Sequence, residues 1–284
     1  MAPRSRAVAF ALVFAAAVAN AADGDARRGE YLAAAGGCVG CHTEDAKGAV
    51  PFAGGRALKT PFGTFYGPNL TPHPQAGLGR WSETDFIHAM RDGVRPDGAH
   101  YYPAFPYASF TRIVDADLRD LWAYLRTLPP SGRANRPHDL RFPFRWRFTA
   151  AAWQWLFFTP GPFVGDRRRA PAVDRGAYLV EALGHCGECH TPRNLLGGLK
   201  RGRWLAGGKI GSKSIPNLTP TRLGKWNDAQ LKDFLLTGIT PEFDSADEAM
   251  AEVVRNTTSR LTPDDLAAMI AYLRALPPLP EEPR

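Results

Sequence analysis

Apolar residues recur at helical spacing in four stretches of the chain, and the four fall into two matching pairs. Ser82-Glu83-Thr84-Asp85 reads as a capping box before Phe86, Ile87 and Met90, a buried stripe that Gly93 closes. Asn227 opens its counterpart, with Leu231, Phe234 and Leu235 as the stripe and Gly238 as the stop. A terminal helix is predicted from Thr262, with Pro263 at its first position and Asp265 three residues after the cap. Its counterpart runs from Asp117-Leu118 to Ala123-Tyr124-Leu125-Arg126. Met90 aligns with Leu235 and Met269 with Leu121, so both methionines read as core. Strand-like alternation is scarce, and the expected class is all-α.

The pairing reflects an internal repeat. Asn69-Leu70-Thr71-Pro72 recurs 148 residues later as Asn217-Leu218-Thr219-Pro220, and the same offset superposes Asp117 on Asp265 and Tyr124 on Tyr272. Each half opens with Gly-x-Tyr-Leu, at Gly29 and at Gly176. The unit is about 105 residues, the size of a small domain. The expected organisation is a first domain over 24–133, a second over 173–284, and between them a linker over 134–172 rich in Pro, Arg and aromatics, packed across both.

The first residues predict export. Arg4 and Arg6 precede an apolar run from Ala7 to Val18, followed by Ala19-Asn20-Ala21, so residues 1–21 read as a signal peptide and the mature chain as periplasmic. Both that run and Ala150 to Phe158 are shorter than the ~20 apolar residues a membrane span needs, so no anchor is expected in the mature chain. Loss of Arg4 and Arg6 takes the formal charge from +7 to +5. That mild excess reads as a solvated face or a docking patch for an acidic partner, and in an exported protein it argues against nucleic acid.

An exported chain with four cysteines would by default form two disulfides. The spacing predicts otherwise. Cys38-Val39-Gly40-Cys41-His42 and Cys186-Gly187-Glu188-Cys189-His190 are two copies of C-x-x-C-H and use every cysteine present. Two thiols one helical turn apart can add to the two vinyl groups of a porphyrin, and the adjoining histidine presents an imidazole to the iron. The cofactors expected are two covalent haem c groups, with His42 and His190 on the irons. A thioredoxin-like dithiol or a zinc site would want a βαβ pattern or further ligands at zinc spacing, and neither is visible.

These residues make the chain resemble dihaem class I cytochromes c, and more narrowly the cytochrome c subunits of bacterial alcohol, aldehyde and gluconate dehydrogenases. The likeness rests on Cys38 to His42, the run Gly67-x-Asn69-Leu70-Thr71-Pro72, Gly79-x-Trp81, Pro103-Ala104-Phe105-Pro106-Tyr107, His185 to Asn194 and the two Ala-Tyr-Leu-Arg-x-Leu-Pro-Pro tails. It implies two tandem class I domains, each wrapped around a haem and joined by an irregular linker. Those subunits commonly carry three haems and a C-terminal anchor, whereas two haems and no anchor are expected here.

The resemblance also implies where the sixth iron ligands lie. Met250 falls in the loop between Gly238 and Thr262, 60 residues after His190, and is the expected ligand of the second iron. In the first domain, Phe105 stands where related subunits have methionine. His100, 58 residues after His42, is the expected ligand there, with an iron left five-coordinate beneath Phe105 as the alternative. His73 and His88 read as surface residues, and His185 as packed near a haem without binding iron. Two imidazoles on the first iron would lower its potential below that of the second. Trp81, Trp226, Asn69, Asn217 and Arg193 are candidate donors to the haem propionates.

The function expected is periplasmic electron transfer from a partner dehydrogenase to an oxidase, a quinone pathway or another cytochrome. No acid–base pair or nucleophile marks the chain as an enzyme in itself. The alternative is a catalytic dihaem protein of peroxidase or thiosulfate-oxidising type with substrate at the first haem. A haem-based gas sensor would need a signalling module, which is not visible.

Overall fold

A computed structural model describes residues 24–281, and the expected signal peptide at 1–21 lies outside them. The first module begins with α1 (Ala26–Ala35), capped by Asp25, whose carboxylate accepts the N–H groups of Arg27 and Arg28. There follow α2 (Cys38–His42), an antiparallel hairpin of β1 (Ala57–Thr60) and β2 (Gly63–Tyr66), α3 (Glu83–Asp92), α4 (Tyr107–Phe110) and α5 (Asp115–Thr127). The connector is less irregular than its composition implies. It supplies β3 (Asp139–Leu140), which pairs with β2 and completes a three-stranded sheet, and then α6 (Phe148–Phe157). The second module runs α7 (Pro171–Tyr178), a π-helical turn, α8 (Gly187–His190), a hairpin of β4 (Gly208–Ile210) and β5 (Lys213–Ile215), α9 (Pro220–Leu223), α10 (Asp228–Thr237), α11 (Glu248–Asn256) and α12 (Pro263–Ala275).

Local sequence explains the paired helices. Ser82 and Asp85 cap α3 reciprocally, and Asn227 and Gln230 do the same for α10. Both helices end on a left-handed glycine, Gly93 at φ 63° and Gly238 at φ 75°. Met90 and Met269 are buried. The segment holding Met250, expected as loop, instead forms α11. Asp247 caps it by accepting the Met250 N–H at 2.9 Å, the signal that periodicity alone did not bring out.

Within each module the first long helix crosses the last, α1 on α5 and α7 on α12. The crossing is too close for any side chain: a Cβ at Gly29 would lie 1.9 Å from the Asp120 carbonyl oxygen, and one at Gly176 would lie 1.9 Å from that of Ala268. This is why both halves carry Gly-x-Tyr-Leu. Leu32 and Leu118 fill the first crossing and Leu179 and Leu266 the second, all at most 1% exposed.

The tyrosines of those motifs reach across to the opposite module. The Tyr31 hydroxyl donates to Asp265 Oδ2 at 2.6 Å and accepts the Thr262 N–H at 3.3 Å. Tyr178 mirrors it, donating to Asp117 Oδ2 at 2.6 Å and accepting the Val114 N–H at 3.3 Å. Each aspartate is also bound from within its own module: Arg28 reaches Asp117 and Asp120, and Arg175 grips Asp265 with two bonds at 2.8 and 2.7 Å. The modules are therefore related by a local pseudo-two-fold axis.

The connector ties to both. The Asn69 N–H donates to Asn135 Oδ1 at 2.7 Å, and Trp153 and Phe158 pack edge-on against Tyr107 with centroids at 6.3 and 5.0 Å. On the other side Phe157 lies against Gly198. Among the described residues no helix is long and apolar enough to cross a membrane.

The aspartates can be tested one at a time. Asp117→Asn removes the charge that faces Arg28 at a side chain 1% exposed and is expected to lower unfolding free energy by about 1–3 kcal/mol in a denaturant melt. At Asp265, burial alone would raise the carboxyl pKa, but the bonds from Arg175 and Tyr31 outweigh it and hold the value below the usual range. Its contribution is therefore present above the ordinary carboxylate value of about 3.9 and is lost as pH falls through the depressed one. Acid titration followed by circular dichroism should show stability declining below about pH 4, with a smaller decline in Asp265→Asn.

Candidate functional site

Each C-x-x-C-H segment forms one short turn of helix, so its two thiols lie one turn apart on one side. No disulfide joins the four cysteines. Burial pushes the Cys38 thiol up to about 12, Cys41 to about 11 and Cys186 to about 12, and raises Cys189 as well. Before haem attachment such thiols are protonated at neutral pH, unlike the activated thiolate of a redox dithiol. Among the described residues no three His, Cys, Asp or Glu side chains converge as a metal cluster.

The histidines of the two motifs are held alike. His42 Nδ1 lies 2.8 Å from the Pro68 carbonyl oxygen, and His190 Nδ1 lies 2.8 Å from that of Pro216. A carbonyl only accepts, so Nδ1 carries the proton and Nε2 keeps its lone pair for a metal. Burial also lowers both imidazole pKa values, which keeps the rings neutral. Pro68 and Pro216 directly precede the repeated Asn-Leu-Thr-Pro, a signal the repeat contained and motif reading passed over. Paired thiols, a fixed tautomer and a lone pair beside them fit covalent haem in both modules, and a haem iron there supplies one-electron exchange between its ferric and ferrous states.

The two attachment turns face the opposite module. Glu252 and Asn256 of α11 lie against Gly40 of the first motif, and Glu252 accepts Arg56 of the first module at 2.8 Å. Reciprocally, Ser109 of α4 donates at 2.8 Å to Glu188, between the cysteines of the second motif. His185 is half-buried here in a left-handed backbone conformation, its ring edge-on to Phe110 at 5.4 Å.

Three of the expected propionate donors are engaged by the protein itself. Asn69, 1% exposed, gives its amide hydrogens to the carbonyls of Ser131 and Arg133 and accepts from Thr71. Asn217, fully buried, donates to Leu279 and accepts from Thr219. A buried amide without partners is costly, and these two fasten the tail of each module to its centre. Arg193 bonds Glu188 and the Gly197 carbonyl. Trp81 and Trp226 are half-buried against the main core. His73 accepts two backbone N–H groups and His88 pairs with Asp92, both outside the core.

The loops expected to bring the sixth ligands match in detail. After the helix-stopping glycine, Val94 bridges His100 in the first module and Ile239 bridges Ser245 in the second. Tyr101 N–H returns to the Gly93 carbonyl at 2.9 Å, as Ala246 N–H does to Gly238 at 2.7 Å. The offset here is 145 residues, as it is for Met90 and Leu235, against 148 for the attachment motifs and the last helices. His100 corresponds to Ser245, and at the same offset Phe105 falls opposite Met250. His100 and Tyr102 point to the connector: His100 Nδ1 bonds Gln154 Oε1, and Tyr102 donates to the Phe144 carbonyl at 2.8 Å. Tyr101, on the opposite side of the extended segment, lies 5.0 Å from Phe105.

Comparison with known proteins agrees with this geometry. The cytochrome c family profile matches residues 26–129 and again 173–277, so each module is a class I unit and the pair defines a dihaem electron-transfer protein. The chain belongs to the cytochrome c family and carries two covalent haem c groups. It is 48% identical over 260 residues to a "Diheme cytochrome c-type" protein of Cereibacter sphaeroides, a match covering 89% of this chain and 86% of that one. It is 39% identical to the fructose dehydrogenase cytochrome subunit of Gluconobacter japonicus, over 88% of this chain and 52% of that one. It is 38% identical to the cytochrome c subunit of the quinone alcohol dehydrogenase of Gluconobacter oxydans, over 96% of this chain and 59% of that one. The chain thus spans little more than half the length of these two dehydrogenase subunits.

Because the motifs act separately, Cys186→Ala combined with Cys189→Ala is expected to reduce covalent haem from two per chain to one. A pyridine haemochrome assay of the denatured, purified protein checks this.

Proposed function

We propose that this dihaem cytochrome c works in the periplasm, taking electrons from a partner dehydrogenase and passing them to an oxidase, a quinone pathway or another cytochrome. The observation that carries this reading is the reciprocal packing of the two attachment turns, each covered by the other module's loop helix. Two redox groups held against one rigid interface suit exchange within the chain. His190 and Met250 are the axial pair of the second iron in this reading, because α11 sets Met250 against the core from a capped first turn. Trp81 and Trp226 keep the role of propionate donors. The signal-like first residues support export, and the names of the relatives support a dehydrogenase as donor.

The surface supports a protein partner. Phe142, Trp146, Phe148 and Trp155 of the connector are exposed, the last at 85%, on a chain of net charge +7. Phe105 in the place of Met250 favours one second reading, in which the first haem acts on a substrate such as a peroxide.

The test uses periplasmic extract from cells that make the full chain, kept without oxygen. Addition of a primary alcohol, an aldehyde, a sugar or a sugar acid is expected to reduce the haems, with at least one class giving full reduction by visible absorbance. If all leave them oxidised while the reduced protein turns over hydrogen peroxide catalytically, the carrier reading falls.

A further inference from the structure

The loop register points to a binding site in the first module. We propose that the haem of the first module receives no sixth ligand from the protein and instead takes a small neutral diatomic molecule beneath Phe105. The inference rests on the reading of Met250 as the ligand of the second iron, since Phe105 holds the equivalent position.

Three observations support it. The stopping glycine, the backbone bridge and the return hydrogen bond match the two loops as far as Tyr101 and Ala246, and four residues further on at the same offset Phe105 falls opposite Met250; a phenyl ring has no lone pair to offer iron. His100, the imidazole nearest in sequence, lies five residues earlier and on the other side of the strand-like segment. Its Nδ1 bonds Gln154 Oε1, Gln154 in turn donates to the Asp92 carbonyl, and Arg147 donates to the His100 carbonyl at 2.9 Å. These bonds hold the ring on the connector side of the segment, away from Tyr101 and Phe105; its Nε2 keeps a lone pair, as at His42, so the direction of the ring is what takes it from the haem. The loop from Gly93 to Asp115 holds no methionine, cysteine or lysine and no histidine other than His100.

The surroundings decide the class of ligand. Phe105 packs on Phe110 at 5.7 Å, on Tyr101 at 5.0 Å and on Tyr107 at 6.3 Å, so its face of the module is aromatic. Such rings suit an uncharged diatomic ligand, which needs no counter-charge or hydrogen-bond donor of its own. The loss of a bis-imidazole centre also removes the basis for ranking the first haem below the second in potential.

Carbon monoxide is the probe, added to the reduced full-length holoprotein, with electron paramagnetic resonance of the oxidised form alongside. One carbon monoxide per two haems and one high-spin ferric signal are expected. Phe105→Met should turn that signal low-spin and weaken carbon monoxide binding at least tenfold, while His100→Ala should change neither. Two low-spin signals in the unaltered protein, with one going high-spin in His100→Ala, would overturn the proposal, as would no carbon monoxide uptake. Met250→Ala separates the two readings. Conversion of the remaining low-spin signal to high-spin upholds Met250, and its persistence overturns the Met250 assignment and the register argument, whatever the first haem binds. The measurements on the unaltered protein stand even if Phe105→Met does not fold.

Discussion

A buried carboxylate in the first turn of each module's last helix joins the parts of this molecule. Asp117 and Asp265 sit where the helix N-terminus favours negative charge. Each takes an arginine from its own module's first long helix and a tyrosine hydroxyl from the other module. One group thus locks the crossing of two helices and the docking of two domains. Removing the tyrosines would loosen the docking, whereas removing the carboxylates would also leave the arginines facing no charge. The glycines at the crossings exist because the helices must come close enough for these bonds to form.

From this docking follows the placement of the redox groups. The interface that the Tyr–Asp bonds close is the one into which both attachment turns are built, with Glu252 on the first and Ser109 on the second. The histidines are oriented independently, each by a proline carbonyl of its own module. Local sequence therefore orients each motif histidine, and the pseudo-two-fold contact brings the two attachment turns together. Such a separation lets one loop change without disturbing the proximal side of either haem.

The first module's loop shows the use of that freedom. Counted from Gly93 to Asp117 it is three residues shorter than its counterpart from Gly238 to Asp265, and the connector packs on it through Gln154 and Trp153 of α6 and through Phe158. His100 belongs to that packing. The near-equal spacing, 58 residues from His42 to His100 and 60 from His190 to Met250, suggests equal roles. The backbone bridges pair His100 with Ser245, and the same offset carried on sets Phe105 opposite Met250.

Sequence alone determined the two C-x-x-C-H motifs, the repeat, the capped helices with their glycine stops and the all-α class, because each depends on residues within one or two turns of each other. It showed that Asn69 and Asn217 matter through their repetition, yet not that they hold the module tails. It marked Gly29 and Tyr31 as repeated, yet not that one permits a crossing and the other reaches Asp265, 234 residues away. It placed Met250 in a loop where Asp247 starts a helix. Only the tertiary structure decided the side to which His100 turns, the partners of the buried carboxylates and the facing of the two haem turns, because these depend on contacts between segments whose separation in sequence carries no record of their direction in space.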